Sequence, residues 1–201
     1  MNGFNVMLQW GRLAALASLL AVALGGCGDG DDGDTGPAGP PGPAAPVSAT
    51  SLDMQITGVT IQSPPVVDFS VTNQDDAPFT GLTTGDLRFT VAKLMPGSLG
   101  NPSSWQNYIN QEETAEVGPG TGNTALQATR ENSGTLVDHG DGTYTYTFAT
   151  DITNVTTPVA VPYDPTLTHR VAVQTRGALP AVNALYTFRP SDGTTQGLFS
   201  R

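Results

Sequence analysis

The sequence predicts an all-β protein, a single Greek-key sandwich or split β-barrel with one short helical insertion, preceded by a signal peptide and a flexible Gly/Pro tether. Three observations carry this expectation. Apolar and polar residues alternate with period two in several stretches after Ala49, the pattern of half-buried strands. Pro and Gly clusters separate those stretches, as turns and loops require. The charged fraction is 13%, about half of the roughly 25% usual in soluble proteins, so surface polarity rests on Thr, Asn, Gln and Ser, as in exported β proteins.

The chain has 201 residues, a formal net charge of -10, eight Lys plus Arg, and one cysteine. Lys93 is its one lysine and no basic cluster is present, so the phosphate-neutralising surface that nucleic-acid binding needs is missing and nucleic acid is not an expected partner. The acidic balance favours solubility and repels anionic polymers. A single cysteine excludes an internal disulfide, a Cys-x-x-Cys pair and a Cys-x-x-Cys-His haem attachment within these residues.

Residues 13–24, LAALASLLAVAL, follow Arg12 and precede Gly25-Gly26-Cys27. At about 1.5 Å per residue such a helix reaches about 18 Å, short of a hydrocarbon core of about 30 Å. The length suits a secretory signal with small residues at its processing site. Leu24-Gly25-Gly26-Cys27 resembles the bacterial lipobox, which implies acylation of Cys27, a mature chain starting there and, with more than one acyl chain, stable anchoring. Gly28, where an Asp favours inner-membrane retention in enteric bacteria, permits sorting to the outer membrane.

Residues 27–49 read as an acidic, collagen-like tether. From Gly30 to Ala44 run five Gly-x-y triplets, too few for a stable triple helix and better suited to an extended spacer of about 50 Å at about 3.1 Å per residue. Asp29, Asp31, Asp32 and Asp34 invite a calcium loop. Gly33, Asp34 and Pro40 fall where an EF-hand needs a ligand, the glycine and the bidentate glutamate, so a solvated tether is preferred.

The β domain is placed at 50–190, with an exit linker at 191–201. Leu52, Met54 and Ile56 open it, followed by Val67, Phe69 and Val71, then Leu87, Phe89 and Val91. Residues 103–116 break the alternation: Trp105, Tyr108 and Ile109 at helical spacing predict a short helix or helical loop covering an edge or end of the sheet. The strongest strand is GTYTYTFAT at 142–150, with Tyr144, Tyr146 and Phe148 on one face. Val171 and Val173 mark another, and 183–188 the last. Six or seven strands over about 140 residues fit a sandwich or Greek-key barrel.

Candidate chemistry is sparse. His139 lies inside Asp138-His139-Gly140-Asp141-Gly142 and His169 beside Arg170. Neither is spaced with a nucleophile and an orienting acid, and no phosphate loop or Gly-x-Ser-x-Gly elbow occurs. Asp138 and Asp141 could hold a cation at a hairpin tip, but Asp-Gly before an alternating strand is turn chemistry first. His169 reads as a strand histidine satisfied by a neighbour, and Trp105 as a packing anchor unless exposed. No catalytic, cofactor-binding or metal residue is assigned, and the chain is not expected to be an enzyme. Cys27 is the single assigned site, for lipid.

Taken in order, the lipobox and its tether, 52–61, DLRFTVAKL at 86–94, WQNYI at 105–109, DHGDGTYTYTF at 138–148, THRVAVQ at 168–174 and NALYTFRPSDG at 183–193 resemble the amino-terminal β domain of the OmcA/MtrC family of outer-membrane decahaem c-type cytochromes. The resemblance implies a noncatalytic module of an extracellular electron-transfer protein, lipid-anchored at the outer membrane and cell surface of a Gram-negative bacterium. It would serve anchoring, spacing and docking beside downstream haem domains or other outer-membrane cytochrome and porin components. Haem c is then expected in the full-length family protein. Because no Cys-x-x-Cys-His occurs here, no haem residue carries over; a fragment, a truncated gene product and a stand-alone protein all fit. The alternative is a surface lipoprotein with an immunoglobulin-like domain binding a glycan or protein partner; a secreted hydrolase ranks third.

Overall fold

The computed structural model describes residues 49–131, 133–196 and 198. All described residues lie in one compact unit, 42–201. The signal-peptide and lipobox readings, with Cys27, lie outside the described residues, as does the tether but for Ala49.

Ten strands occur among the described residues: β1 (Leu52–Thr60), β2 (Val66–Asn73), β3 (Leu87–Met95), β4 (Ser104–Asn107), β5 (Asn110–Thr114), β6 (Thr124–Ala128), β7 (Thr135–Asp138), β8 (Thr143–Thr147), β9 (His169–Thr175) and β10 (Asn183–Phe188). Single 3-10 turns sit at Thr84–Asp86 and Ile152–Asn154. One sheet has the order β1-β2-β8-β7 and the other β10-β9-β3-β4; β5 and β6 form a separate hairpin. Every pairing is antiparallel. This is the immunoglobulin-type Greek-key arrangement of an ABED sheet facing a GFC sheet, with β4 as an added edge strand. The all-β sandwich expected from the alternation is what the chain forms.

The alternation sets the core. Val67, Phe69, Val71, Tyr144 and Tyr146 point inward from the first sheet and Leu87, Phe89, Val91, Val171 and Val173 from the second; each is almost fully buried. The rings interlock. Phe89 of β3 stacks on Tyr146 of β8 across the sandwich, with centroids 3.7 Å apart and planes 6° apart. Phe69 stacks on Tyr144 at 5.2 Å and meets Phe89 edge-on at 6.0 Å, geometries that add to simple burial.

The expected helix at 103–116 is absent; the segment forms β4 and β5. Trp105 lies opposite Leu94 in the β3–β4 ladder, and the Tyr108 N–H donates to the Val91 carbonyl at 3.0 Å. A free edge of β3 therefore offers the segment ladder hydrogen bonds, and tertiary context overrides the local pattern. Trp105 and Tyr108 face opposite sides of the sheet, so their spacing is not that of a helical face. Three polar or short strands, β5, β6 and β7, raise the count above the six or seven expected.

The β7–β8 hairpin shows why two aspartates and two glycines punctuate 138–142. Gly140 and Gly142 have φ of 81° and 84°, a region that favours glycine. A Cβ on Gly140 would meet nothing within 4 Å, whereas one on Gly142 would sit 2.9 Å from Pro78 Cβ and 3.0 Å from the Val71 carbonyl oxygen. Gly140→Ala should therefore cost about 1 kcal/mol from backbone strain alone, and Gly142→Ala about 3 kcal/mol. Urea unfolding of the two variants checks the order; equal losses would contradict the collision at Gly142.

Candidate functional site

The residues singled out in the sequence are not brought together. Asp138 and Asp141 flank the hairpin tip, and their carboxylates serve backbone groups. Asp138 accepts from the N–H groups of Gly140 at 2.8 Å and Gly81 at 2.6 Å. Asp141 accepts from the Thr143 N–H at 2.9 Å and hydroxyl at 2.5 Å, and these bonds hold its carboxyl below the usual range. This is the turn chemistry the sequence favoured. His139 is exposed beside the Thr145 hydroxyl, Nε2 to Oγ1 being 3.0 Å. Trp105 is half-buried with the Arg170 guanidinium 4.4 Å above its ring, a cation–π contact that makes it a packing anchor.

The chemically richest group of side chains lies inside the sandwich, where β3, β9 and residues 161–168 meet. His169 is fully buried, and its Nδ1 lies 2.9 Å from the Leu167 carbonyl oxygen. A carbonyl can only accept, so Nδ1 carries the proton and Nε2 accepts from the Tyr108 hydroxyl 2.8 Å away. The Tyr108 and His169 rings stack at 5.6 Å. Lys93, 3% exposed, donates to the Pro162 carbonyl and lies 5.6 Å from the Tyr108 ring centre. The sequence reading places Tyr108 on a helical face and gives Lys93 no role in a site. Lys93 continues the inward series of Leu87, Phe89 and Val91, a signal readable from the alternation had charge not argued against burial.

Burial dominates the electrostatics of this knot. It pushes the His169 imidazole and the Lys93 ammonium below their ordinary values, with Asp164 opposing both shifts. It pushes the Tyr108 hydroxyl well above its ordinary range and raises that of Tyr163, in each case before any charge effect. Lys93, Tyr108 and His169 are each satisfied by a neighbour, so the knot fastens the loop before β9 to the sheet, and the His169 reading as a satisfied strand histidine holds.

The resemblance to multihaem cytochromes raises haem ligation, and the donor set does not fit it. Both nitrogens of His169 are occupied inside the core, His139 stands on a hairpin, and the cysteine that covalent attachment requires is a single residue, Cys27. No step through haem is derived for these residues.

The sign of the pH effect follows from the His169 shift. The unfolded histidine, near pH 6.5, binds a proton more readily than the folded one, so stability falls as pH drops below about 6.5, by up to about 1.4 kcal/mol per pH unit. Carboxylates held low by hydrogen bonds, such as Asp141 and Asp164, lose their contribution only below about pH 4. The free energy of unfolding should therefore drop between about pH 7.5 and about pH 5, and His169→Gln should flatten that drop. An unchanged slope in the variant would assign it elsewhere.

Comparison with known proteins agrees with this architecture. Residues 53–195 match the model of the OmcA-like N-terminal domain. Over 113 residues the chain is 34% identical to a multiheme cytochrome MtrC of Shewanella baltica (strain OS185), covering 55% of this chain and 15% of that protein. The crystal structure of the outer membrane decaheme cytochrome OmcA superposes with a TM-score of 0.66 at 32% identity, covering 77% of this chain and 25% of that one. MtrC from Shewanella baltica OS185 gives a TM-score of 0.55 at 26% identity, covering 75% and 24%. The chain thus spans a quarter or less of the proteins it matches. The strand order, the motif order and the match across 53–195 lead to one assignment: the chain belongs to the OmcA-like N-terminal domain family.

Proposed function

We propose that this chain is the noncatalytic amino-terminal β module of a lipid-anchored, outer-membrane multihaem cytochrome exposed at the cell surface, where it anchors, spaces and docks neighbouring haem domains. The observation that carries the reading is the family match over 53–195 combined with relatives that are multiheme cytochromes several times longer than the matched stretch. The buried knot supports a noncatalytic role, since its histidine, lysine and tyrosine face one another and not solvent. In this reading haem c belongs to other domains of the full-length protein, and the partners are those domains or other outer-membrane cytochrome and porin components. Cys27 is the lipid attachment point and 27–49 the spacer. The immunoglobulin-type strand order favours one second reading, a surface lipoprotein whose β domain binds a glycan or protein partner.

A haem-stained gel of native membranes, blotted in parallel with an antibody against residues 50–190, separates the two. The cytochrome reading expects a haem-positive band far heavier than 20.8 kDa. A haem-negative band near the processed mass would sink it in favour of the second. The anchor has its own test: labelled palmitate should enter the wild-type protein and be lost, together with membrane association, in Cys27→Ser. Retention of label would place the lipid elsewhere.

A further inference from the structure

The second sheet turns an unusual face outward. Inward residues alternate along β3, so Arg88 and Thr90 point away from the core, as do Ala172 and Gln174 of β9 and Asn183 and Leu185 of β10. The β5–β6 hairpin leads into residues 129–131, which join the β3 edge through a bridge between Phe89 and Glu131. Glu131 faces inward with Phe89 and is buried, so its neighbour Arg130 faces outward beside Arg88. The result is a half-open cleft of about 720 Å³ whose walls include Arg88, Arg130, Gln127, Gln174, Asn183 and Leu185, and no carboxylate.

Two arginines converging without a carboxylate are unexpected in a chain with eighteen Asp plus Glu against eight Lys plus Arg. The Arg88 Nε is buried, and no acceptor among the described residues reaches it. Among the described residues the side-chain ion pair is Arg189 with Asp192 at 3.1 Å, outside the cleft. Arg130, then burial, then Arg176 hold the Arg88 guanidinium below its ordinary value, so mutual repulsion stands uncompensated. Guanidinium forks match the paired oxygens of carboxylate and phosphate, amides such as Gln174 and Asn183 can bond the remaining polar atoms, and the volume is that of a small-molecule site.

We propose that the cleft between the outer face of the β10-β9-β3-β4 sheet and the β5–β6 hairpin binds a small, multiply charged oxyanion, a polycarboxylate or a condensed phosphate, through Arg88 and Arg130. The proposal does not depend on the haem partnership and stands for either reading of function.

Isothermal titration calorimetry of the full chain with citrate and with inorganic pyrophosphate, at fixed ionic strength, tests it. Saturable binding near one site per chain is expected for at least one probe, and which probe binds distinguishes a carboxylate from a phosphate ligand. Arg88→Gln and Arg130→Gln should each weaken binding about tenfold or more, while Arg189→Gln, at the ion pair outside the cleft, should leave it unchanged. Arg88→Lys should fall between, because it keeps the charge and loses the fork. Circular dichroism verifies that each variant is folded, and Arg130→Gln, on an exposed side chain, supplies the result if Arg88→Gln is not. Absence of saturable binding by both probes up to about 10 mM, or equal affinity in wild type, Arg88→Gln and Arg130→Gln, overturns the proposal.

Discussion

The contact between Phe89 and Tyr146 fixes the rest of the sandwich. Stacked rings with centroids 3.7 Å apart hold β3 against β8, and the same two residues share a third partner, Glu131. Phe89 exchanges backbone hydrogen bonds with Glu131 at 3.1 and 2.7 Å, and the Tyr146 hydroxyl donates to the Glu131 carboxylate at 3.3 Å while accepting from the Gly134 N–H at 2.9 Å. The carboxylate also accepts from the Ser133 N–H at 2.7 Å and the Thr150 hydroxyl at 2.8 Å. A buried charge without partners is costly, and here each of the three partners, Tyr146, Ser133 and Thr150, is a donor. Burial pushes the Tyr146 hydroxyl up to about 12, with the Glu131 charge adding to the effect and the Gly134 N–H opposing it. The hydroxyl therefore stays protonated and donates throughout the physiological range.

Most of this was legible in the sequence, because period two specifies both the strand and the buried face. The alternation puts Tyr144, Tyr146 and Phe148 on one face, and all three are buried; Asp138 to Gly142 reads as hairpin chemistry, and the hairpin is there. The family also followed from the order of short motifs, none specific alone. What escaped has a common cause. Strand β4 exists because β3 has an unpaired edge, β7 because β8 has one, and Lys93 is buried because Pro162 and Tyr108 receive it. The partners in each case are residues distant in sequence, and local alternation, which can place Lys93 on the inward face, does not name them.

The knot around His169 shows what such distant partners accomplish. The loop at 161–168 packs Val161 and Tyr163 against the core but runs as no strand of either sheet, so its carbonyls need other partners. Val161 is buried, and the Asp164 carboxylate caps Thr166 through both its N–H at 2.9 Å and its hydroxyl at 2.7 Å. Docking then comes from carbonyls: Pro162 receives Lys93 and Leu167 receives His169. Using buried side-chain donors to satisfy loop carbonyls meets the requirement that inward-facing backbone groups be paired without another strand.

Net charge describes this molecule poorly at close range. The first sheet carries Asp53 and Asp68 on its outer face, among threonines such as Thr143 and Thr145, whereas the second carries Arg88 and Arg170. Packed sheets stand about 10 Å apart, and ions screen exposed charges over about 8 Å at physiological salt. Each face therefore presents its own field to a small ligand, while a long polymer that spans both feels the sum of -10. The acidic composition that argues against nucleic acid thus leaves a local cationic surface intact, and it discriminates by size: a compact anion can reach the arginines of the second sheet without approaching the carboxylates of the first.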